Sequence, residues 1–211
     1  MPIRVTAAMV FAFALGVAGC VSVRSYVEEG HAAAGYHDLK RLDPPLPVVL
    51  SVQFLHNGKH YPPADRDLYN EVSRVLRESG VMISARGDVH ATLQVVVDDR
   101  YDETLARQRG LLTGLSEGQY ASQVRDDYDF TLTFTRAGGE PRIGHYRHAI
   151  ITVAGRQPPP THSGRALDPQ DAFAVVVRQT VLDFLADVQD LGSTGTPVIM
   201  VPTTPAPPPP Q

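Results

Sequence analysis

In the stretch DYDFTLTFTR, residues 127–136, polar and apolar side chains alternate from Asp127 to Thr135. Its apolar members are Tyr128, Phe130, Leu132 and Phe134, with Asp, Thr or Arg at the remaining positions. Successive side chains of a β-strand point to opposite faces of a sheet. The pattern therefore predicts a strand with one face in the core and one face in solvent.

A second strand is predicted directly after this one. The sequence AGGE at residues 137–140 favours a turn, and residues 143–153 (IGHYRHAIITV) return to apolar and β-branched side chains. We expect these two strands to pair as an antiparallel hairpin with one solvated face.

Three more strands are predicted on the amino-terminal side of the hairpin. Residues 48–55 (VVLSVQFL) and 81–84 (VMIS) are short apolar runs, and residues 90–98 place apolar side chains at every second position. A short strand within residues 21–27 is an open alternative.

The first helix is predicted from about Asp65 to Ser79. Its apolar residues recur at the spacing of one helical face, and they are Leu68, Val72, Val75 and Leu76. Asp65 is expected to cap its start, and Gly80 to end it in a left-handed conformation.

The second helix is predicted from Asp168 to Gly192. Asp168 is a suitable N-cap, Pro169 suits the first helical position, and Asp171 suits the positive end of the helix. One continuous stripe follows, made of Phe173, Val176, Val177, Thr180, Val181, Phe184, Leu185 and Val188.

Together these elements predict an α+β domain. It has one mostly antiparallel twisted sheet of about five strands, with two amphipathic helices packed on one face. The other face of the sheet is expected to be rich in Thr and Asp.

The amino terminus has the pattern of a secretory signal peptide over residues 1–19. Arg4 supplies a positive charge, and the apolar run of residues 5–17 follows it. The run is shorter than the roughly twenty residues that a membrane-spanning helix needs.

The run closes on Val17-Ala18-Gly19-Cys20, which contains the single cysteine of the chain. This sequence resembles the lipobox of bacterial lipoproteins. The resemblance implies cleavage before Cys20, a diacylated Cys20 thiol, and an amine acylated with a fatty acid such as palmitate. Val21 follows where enteric lipoproteins of the inner membrane carry Asp, so the resemblance implies the outer membrane. A chance or buried cysteine, or cleavage by the general signal peptidase, is the alternative.

This leader sets the predicted organisation of the chain. Residues 20–46 are interpreted as the lipidated amino terminus and a tether, residues 47–192 as a periplasmic domain, and residues 193–211 as a Pro-rich tail. The apolar piece at residues 197–202 is expected to be an edge strand or a partner-binding segment. The net charge of −4 argues against a nucleic-acid partner, and a lone cysteine excludes an internal disulfide.

Residues 114–118 (GLSEG) match the Gly-x-Ser-x-Gly pattern that exposes a nucleophilic serine, here Ser116. His145, His148 and His162 follow it along the chain. The preceding residues 107–113 make a poor core strand, and the chain lacks the strand–helix repeat of a hydrolase sheet. A loop without catalytic residues is therefore the preferred interpretation.

The same region contains an apolar, glycine-rich segment. Leu111, Leu112 and Leu115 lie in it and are candidates for contact with the membrane or a protein partner, because exposed apolar patches often mark such contacts. Ordinary packing onto the domain is the alternative.

No metal site or cofactor is predicted. The chain has no His-Glu-x-x-His motif, no second cysteine and no phosphate-binding loop. Acidic residues cluster on both sides of residues 104–125, and they are Asp98, Asp99, Asp102, Glu103, Asp126, Asp127 and Asp129. Such a cluster is typical of solvated strand ends, and binding of a cation is the alternative.

Residues 48–190 resemble small periplasmic α+β lipoproteins, among them the lipoprotein of the lipopolysaccharide-export translocon. Uncharacterised outer-membrane lipoproteins share the pattern GLLTGL of residues 110–115, the pattern Asp-Tyr-x-Phe of residues 127–130, and an Ala- and Phe-rich terminal helix. The resemblance implies no reaction. We expect a non-enzymatic lipoprotein, anchored through Cys20, that works by contact with an envelope protein in assembly or maintenance. A lipid- or glycan-binding carrier with a groove between sheet and helices, and a small serine esterase that uses Ser116, are the alternatives.

Overall fold

The computed structural model describes residues 23–29, 33–100, 122–155 and 158–194. This part of the chain forms seven strands and two helices. The strands are β1 (Val23–Val27), β2 (Leu46–His56), β3 (Lys59–His60), β4 (Met82–Ser84), β5 (Ala91–Arg100), β6 (Ser122–Arg136) and β7 (Arg142–Ala154). The helices are α1 (Pro62–Ser79) and α2 (Pro169–Thr194).

The strands form one mixed sheet in the order β1-β7-β6-β5-β2-β3, with β4 also paired to β2. The α+β class is confirmed, whereas the predicted sheet of about five mostly antiparallel strands is corrected to seven strands in a mixed sheet. Strand β2 runs parallel to both β4 and β5. The cause is helix α1, which follows β2 and returns the chain so that the next strands run in the same direction.

The hairpin predicted from residues 127–153 is confirmed by the pairing of β6 with β7. Its register runs from Phe134 opposite Arg142 to Ser122 opposite Ala154. Strand β6 thus begins before the alternating stretch, at Ser122.

Strands β1 and β3 account for the difference in strand number. β1 pairs with β7 at one edge of the sheet, where Val23 lies opposite Ala154. A segment ending at Leu167 covers the outer edge of β1, and the Ser25 N–H donates to the Leu167 carbonyl at 2.8 Å. β3 forms a short hairpin with β2 through Asn57 and Gly58, both in the left-handed region that such a tight turn requires.

Helix α1 begins earlier than predicted, with Pro62 and Pro63 inside its first turn. Asp65 is therefore not the N-cap. Its carboxylate accepts the Phe54 N–H at 2.8 Å and pairs with His60 at 2.7 Å. Gly80 ends the helix at a φ of 68°, as expected.

Both helices pack on one face of the sheet and share one core. Helix α2 begins at Pro169 as predicted but continues past Gly192 to Thr194. In β2, β5 and β6 every second side chain points into the core, and for β5 and β6 the alternation in the sequence predicted this. The fully buried residues include Val48, Leu68, Val72, Val75, Leu76, Leu93, Leu132, Val176, Val177 and Leu185.

Residues 33–45, which the sequence assigned to the tether, pack on the two helices. Leu39 is buried in the core, the Ala34 N–H donates to Asp183 at 2.6 Å, and the Tyr36 hydroxyl donates to Glu78 at 2.7 Å. Together with β1, these contacts make most of the described part of residues 20–46 belong to the folded domain. Neither helix in the described residues is both long and apolar enough to cross a membrane.

Candidate functional site

The site residues named from the sequence lie outside the described residues. They are Cys20, Leu111, Leu112, Leu115 and Ser116, and the signal peptide and the Pro-rich tail lie outside as well. The described structure does fix the residues that border them.

Three strand ends meet at one end of the sheet. Val23 lies opposite Ala154 on one side of β7, and Ser122 lies opposite Ala154 on the other side. Val23 is the third residue after Cys20, and Ser122 is the first described residue after the segment that contains the three leucines. We call the end formed by Val23, Ser122 and Ala154 the anchor end.

Acidic side chains from neighbouring strands meet near the carboxyl end of β5. His56 at the end of β2 lies opposite Asp99 in the parallel register, and its Nδ1 is 3.1 Å from an Asp99 carboxylate oxygen. On the opposite face, Asp98 accepts the Gly58 N–H at 2.8 Å and pairs with Arg100 at 2.8 Å.

Burial governs the protonation of the acids on the helix-covered face. The pKa of Asp126 is raised to about 6, chiefly by burial and also by the charges of Asp99 and Asp127, while His56 acts to lower it. Burial also raises the pKa of Asp99, against the effect of His56, and one Asp99 oxygen is buried without a hydrogen-bond partner. Burial and the charges of Asp99 and Asp126 raise the pKa of Tyr128.

No group of three or more potential metal ligands exists among the described residues. The strand alternation explains this, because Asp98 and Asp129 lie opposite each other on one face of the sheet while Asp99 and Asp126 lie on the other. Asp129 is held by Arg100 at 3.1 Å and by Arg147 at 3.0 Å. Asp102 and Glu103 lie outside the described residues.

The three histidines considered with Ser116 occupy separate places. His145 points to the face without helices, where its Nδ1 lies 3.1 Å from the Thr131 hydroxyl. His148 points to the opposite face and meets the Phe130 ring edge-on at 6.1 Å. His162 lies in the segment that covers β1, where its carbonyl accepts the Glu29 N–H.

A cleft of about 540 Å³ opens between α1, α2 and the sheet. Phe54 and Tyr128 come from the sheet and Phe173 from α2, with ring centres 5.9 Å apart for Phe54 and Phe173 and 5.6 Å apart for Tyr128 and Phe173. The polar groups of the lining are Asp67, Asn70, Glu71 and Gln170. An aromatic wall with a few polar groups is typical of small-molecule sites.

The sequence predicted a groove between sheet and helices only as a general alternative. It did not identify these residues, because Phe54, Tyr128 and Phe173 are distant in the chain and each fits a core stripe. Strand parity could have assigned Phe54 and Tyr128 to one face, but the parallel pairing of β2 with β5 was needed to bring them near each other.

The face of the sheet opposite the helices carries mostly polar side chains over the described residues. Ser51, Thr92 and Gln94 are exposed on it. Three large apolar residues are exposed among them, Val49 at 37%, Ile83 at 40% and Ile143 at 58%. We call this surface the open sheet face.

Among protein-family models and curated proteins, nothing matches the chain. Three similar solved structures are a PelC variant dodecamer from Paraburkholderia phytofirmans, rare lipoprotein B from Shewanella oneidensis and a minor lipoprotein from Acinetobacter baumannii. Their identities are 15%, 15% and 14%, and their TM-scores 0.35, 0.30 and 0.28. The matches cover 79%, 71% and 74% of this chain, and 97%, 96% and 95% of the respective similar chains.

Two of these three proteins are named lipoproteins.

Proposed function

We propose that the protein is a non-enzymatic lipoprotein of the outer membrane, anchored through acylated Cys20 and facing the periplasm. It works by contact with an envelope protein in assembly or maintenance of the envelope. The observation that supports this proposal is the position of β1, an integral strand of the sheet that begins at the third residue after Cys20. Acylation of Cys20 would thus hold a folded domain directly at a membrane.

The open sheet face is the surface that we assign to the protein partner. Val49 and Ile143 are exposed there among Thr, Ser and Gln side chains, which can exchange hydrogen bonds with a partner at small desolvation cost. The helix-covered face is already occupied by α1 and α2, so the sheet has one face left for a contact of this kind.

Photo-crosslinking in intact cells tests this assignment. A photoreactive amino acid at Gln94 on the open sheet face should give a discrete adduct with an envelope protein, whereas the same amino acid at exposed Arg77 on α1 should give none. Equal adducts at both positions, or none at Gln94 with the protein correctly localised, would contradict the assignment.

The anchor is tested separately. The wild-type chain should incorporate labelled palmitate and sediment with outer membranes, and Cys20→Ser should do neither. Labelled wild-type protein found in inner membranes would contradict the outer-membrane part of the proposal and leave the lipid anchor in place.

We further propose that Leu111, Leu112 and Leu115 contact the bilayer. Ser122 supports this, because the chain re-enters the sheet there after these leucines, at the same end of the sheet as Val23. A non-acylated domain should bind liposomes more weakly when the three leucines are changed to Ser, whereas Leu42→Ser on an exposed site elsewhere should leave binding unchanged. Unchanged liposome binding by the triple variant would contradict the proposed bilayer contact.

A lipid or glycan carrier is the second candidate, and the cleft lined by Phe54, Tyr128 and Phe173 is the observation that favours it. Mass spectrometry of the protein purified from membranes should then find a bound lipid or oligosaccharide. Phe173→Ala should release it, while Gln94→Ala should not.

The proposal contains no catalytic step. A fluorophosphonate probe should therefore leave the wild-type domain unlabelled. Labelling that disappears in Ser116→Ala would replace this proposal with the esterase alternative.

A further inference from the structure

The number of residues between Cys20 and the sheet limits where the domain can sit. Only Val21 and Ser22 separate Cys20 from Val23, and three residues span at most about 10 Å when fully extended. Val23 is the first residue of β1 and lies at the anchor end, so the attachment to Cys20 is at this end of the sheet.

The strands make the domain long in that direction. Strand β7 extends from Ala154 at the anchor end to Arg142 beside the turn of residues 137–141, and its 13 residues span about 40 Å. Strands β6 and β1 run beside it in antiparallel register. The hairpin turn is thus at the opposite end of these strands from the anchor end.

Neither broad side of the domain is suited to lie on lipid. The open sheet face exposes Thr92 and Gln94 and carries the carboxylate of Asp129, and the outer side of α1 exposes charged residues that include Arg66, Asp67 and Arg77. Pressing either side into a headgroup layer would desolvate many polar and charged groups while burying few apolar side chains.

We propose that the domain stands end-on on the bilayer, with the anchor end of Val23, Ser122 and Ala154 against the lipid headgroups and the hairpin turn of residues 137–141 pointing away. The partner of this end is the phospholipid surface itself. The proposal rests on the acylation of Cys20 and adds the orientation. In this orientation both the open sheet face and the cleft face sideways, where a membrane-embedded or periplasmic protein can reach them.

The single cysteine makes the orientation measurable. Acylation blocks the Cys20 thiol, so one introduced cysteine is the only free thiol of the lipidated chain. Three exposed positions mark increasing distance from the anchor end, and they are Gln123→Cys, Lys59→Cys and Glu140→Cys. Gln123 lies opposite Val153, Lys59 lies beside β2 at the level of Tyr128, and Glu140 lies in the hairpin turn.

Each variant is purified acylated, labelled with a fluorophore, and placed in phosphatidylethanolamine–phosphatidylglycerol vesicles that contain a headgroup-spin-labelled lipid as quencher. The expected result is strong quenching at position 123, weaker quenching at 59, and quenching at 140 severalfold below that at 123. Equal quenching at all three positions, or stronger quenching at 140 than at 123, would overturn the end-on orientation.

Two outcomes separate this inference from the proposed function. Intact mass showing three acyl chains together with equal quenching leaves the anchor in place and overturns the orientation alone. Absence of acyl chains on Cys20 overturns both. Matched unfolding curves of the labelled variants exclude misfolding as the cause of either result.

Discussion

The helix-covered core and the corner around β1 are stabilised in different ways. The core is a continuous apolar cluster to which both helices and the central strands contribute fully buried side chains. The corner has a cluster of only three buried residues, Tyr26, Ile151 and Val153, with Ala166 packed against it. Main-chain hydrogen bonds to residues 162–167 and the Glu28–Arg125 pair complete it.

The difference shows how the domain can combine a stable interior with an attachment point. Removal of apolar area from water supplies most of the folding free energy, and it scales with the area buried. The corner buries little such area and relies on polar contacts that contribute less each. We therefore expect the strand that follows Cys20 to be the less stable part of the sheet.

The largest expected effect is in the core. Phe130→Ala should lower the free energy of unfolding by about 3–5 kcal/mol, because the side chain is 2% exposed and its loss leaves a cavity. Urea unfolding measures this, and Gln94→Ala on the open sheet face should stay within about 0.5 kcal/mol of wild type. If Phe130→Ala lowered the free energy of unfolding no more than Gln94→Ala does, the core would not be the main source of stability.

An intermediate effect is expected at the corner. Tyr26→Ala should cost about 2 kcal/mol, since its small cluster can partly close over the gap. In the wild-type protein the Ser25 amide should also exchange hydrogen faster than the Leu93 amide. Equal exchange rates at the two amides would mean that the corner unfolds only with the core.

A smaller effect, of opposite sign, is expected from Asp126, a half-buried carboxyl group on the helix-covered face. The folded pKa of Asp126 is raised to about 6 from an ordinary 3.8, so the wild-type protein loses stability as the pH rises through this window. Asp126→Asn should therefore be more stable than wild type above about pH 6, by on the order of 1 kcal/mol once solvent screening is allowed for.

The gain from Asp126→Asn should shrink as the pH falls and vanish below about pH 4, where Asp126 is protonated in both the folded and the unfolded wild-type protein. Asp88→Asn, in an exposed turn, is the matched control for the same substitution away from the core. A gain that is constant across this range would contradict the pKa of Asp126.

The smallest effect is expected at the ion pair of the corner. Arg125 reaches across β7 to Glu28, with nitrogen–oxygen distances of 2.6 and 2.9 Å, but the two side chains are 46% and 40% exposed. Arg125→Gln should cost only about 0.5 kcal/mol, and added salt should reduce the difference.

The hydrogen bonds from Arg125 hold the pKa of Glu28 below its ordinary value. The contribution of the pair should therefore be present near neutral pH and disappear as the pH falls and Glu28 is protonated. A double-mutant cycle with Glu28→Gln isolates this contribution, and a coupling that persists at low pH would contradict it.

Local periodicity predicted much of the fold. The alternation of residues 127–136, the stripe of α2 and the stop at Gly80 each depend on neighbours within a few residues, and the structure has all three. The start of α1 was missed because Asp65 satisfies cap chemistry in the sequence, whereas in the structure it bonds to Phe54 on a neighbouring strand.

The candidate site was less predictable. His56 and Asp99 are far apart in the chain, and only the parallel register of β2 with β5 brings them within 3.1 Å. The cleft likewise requires residues from two helices and two strands to face one space. No local sequence pattern predicts that these residues lie close together, because the pairing of strands distant in sequence depends on the path of the whole chain.

The sequence by itself determined the α+β class, the hairpin, the two apolar helix faces and the lipobox resemblance at Cys20. These follow from side-chain periodicity and from a short motif, both of which are local. Only the tertiary structure decided the mixed sheet, the inclusion of β1 in it, and the meeting of Val23, Ser122 and Ala154 at one end. The reason is that hydrogen bonds between strands and the burial of shared apolar area join residues that the chain order keeps far apart.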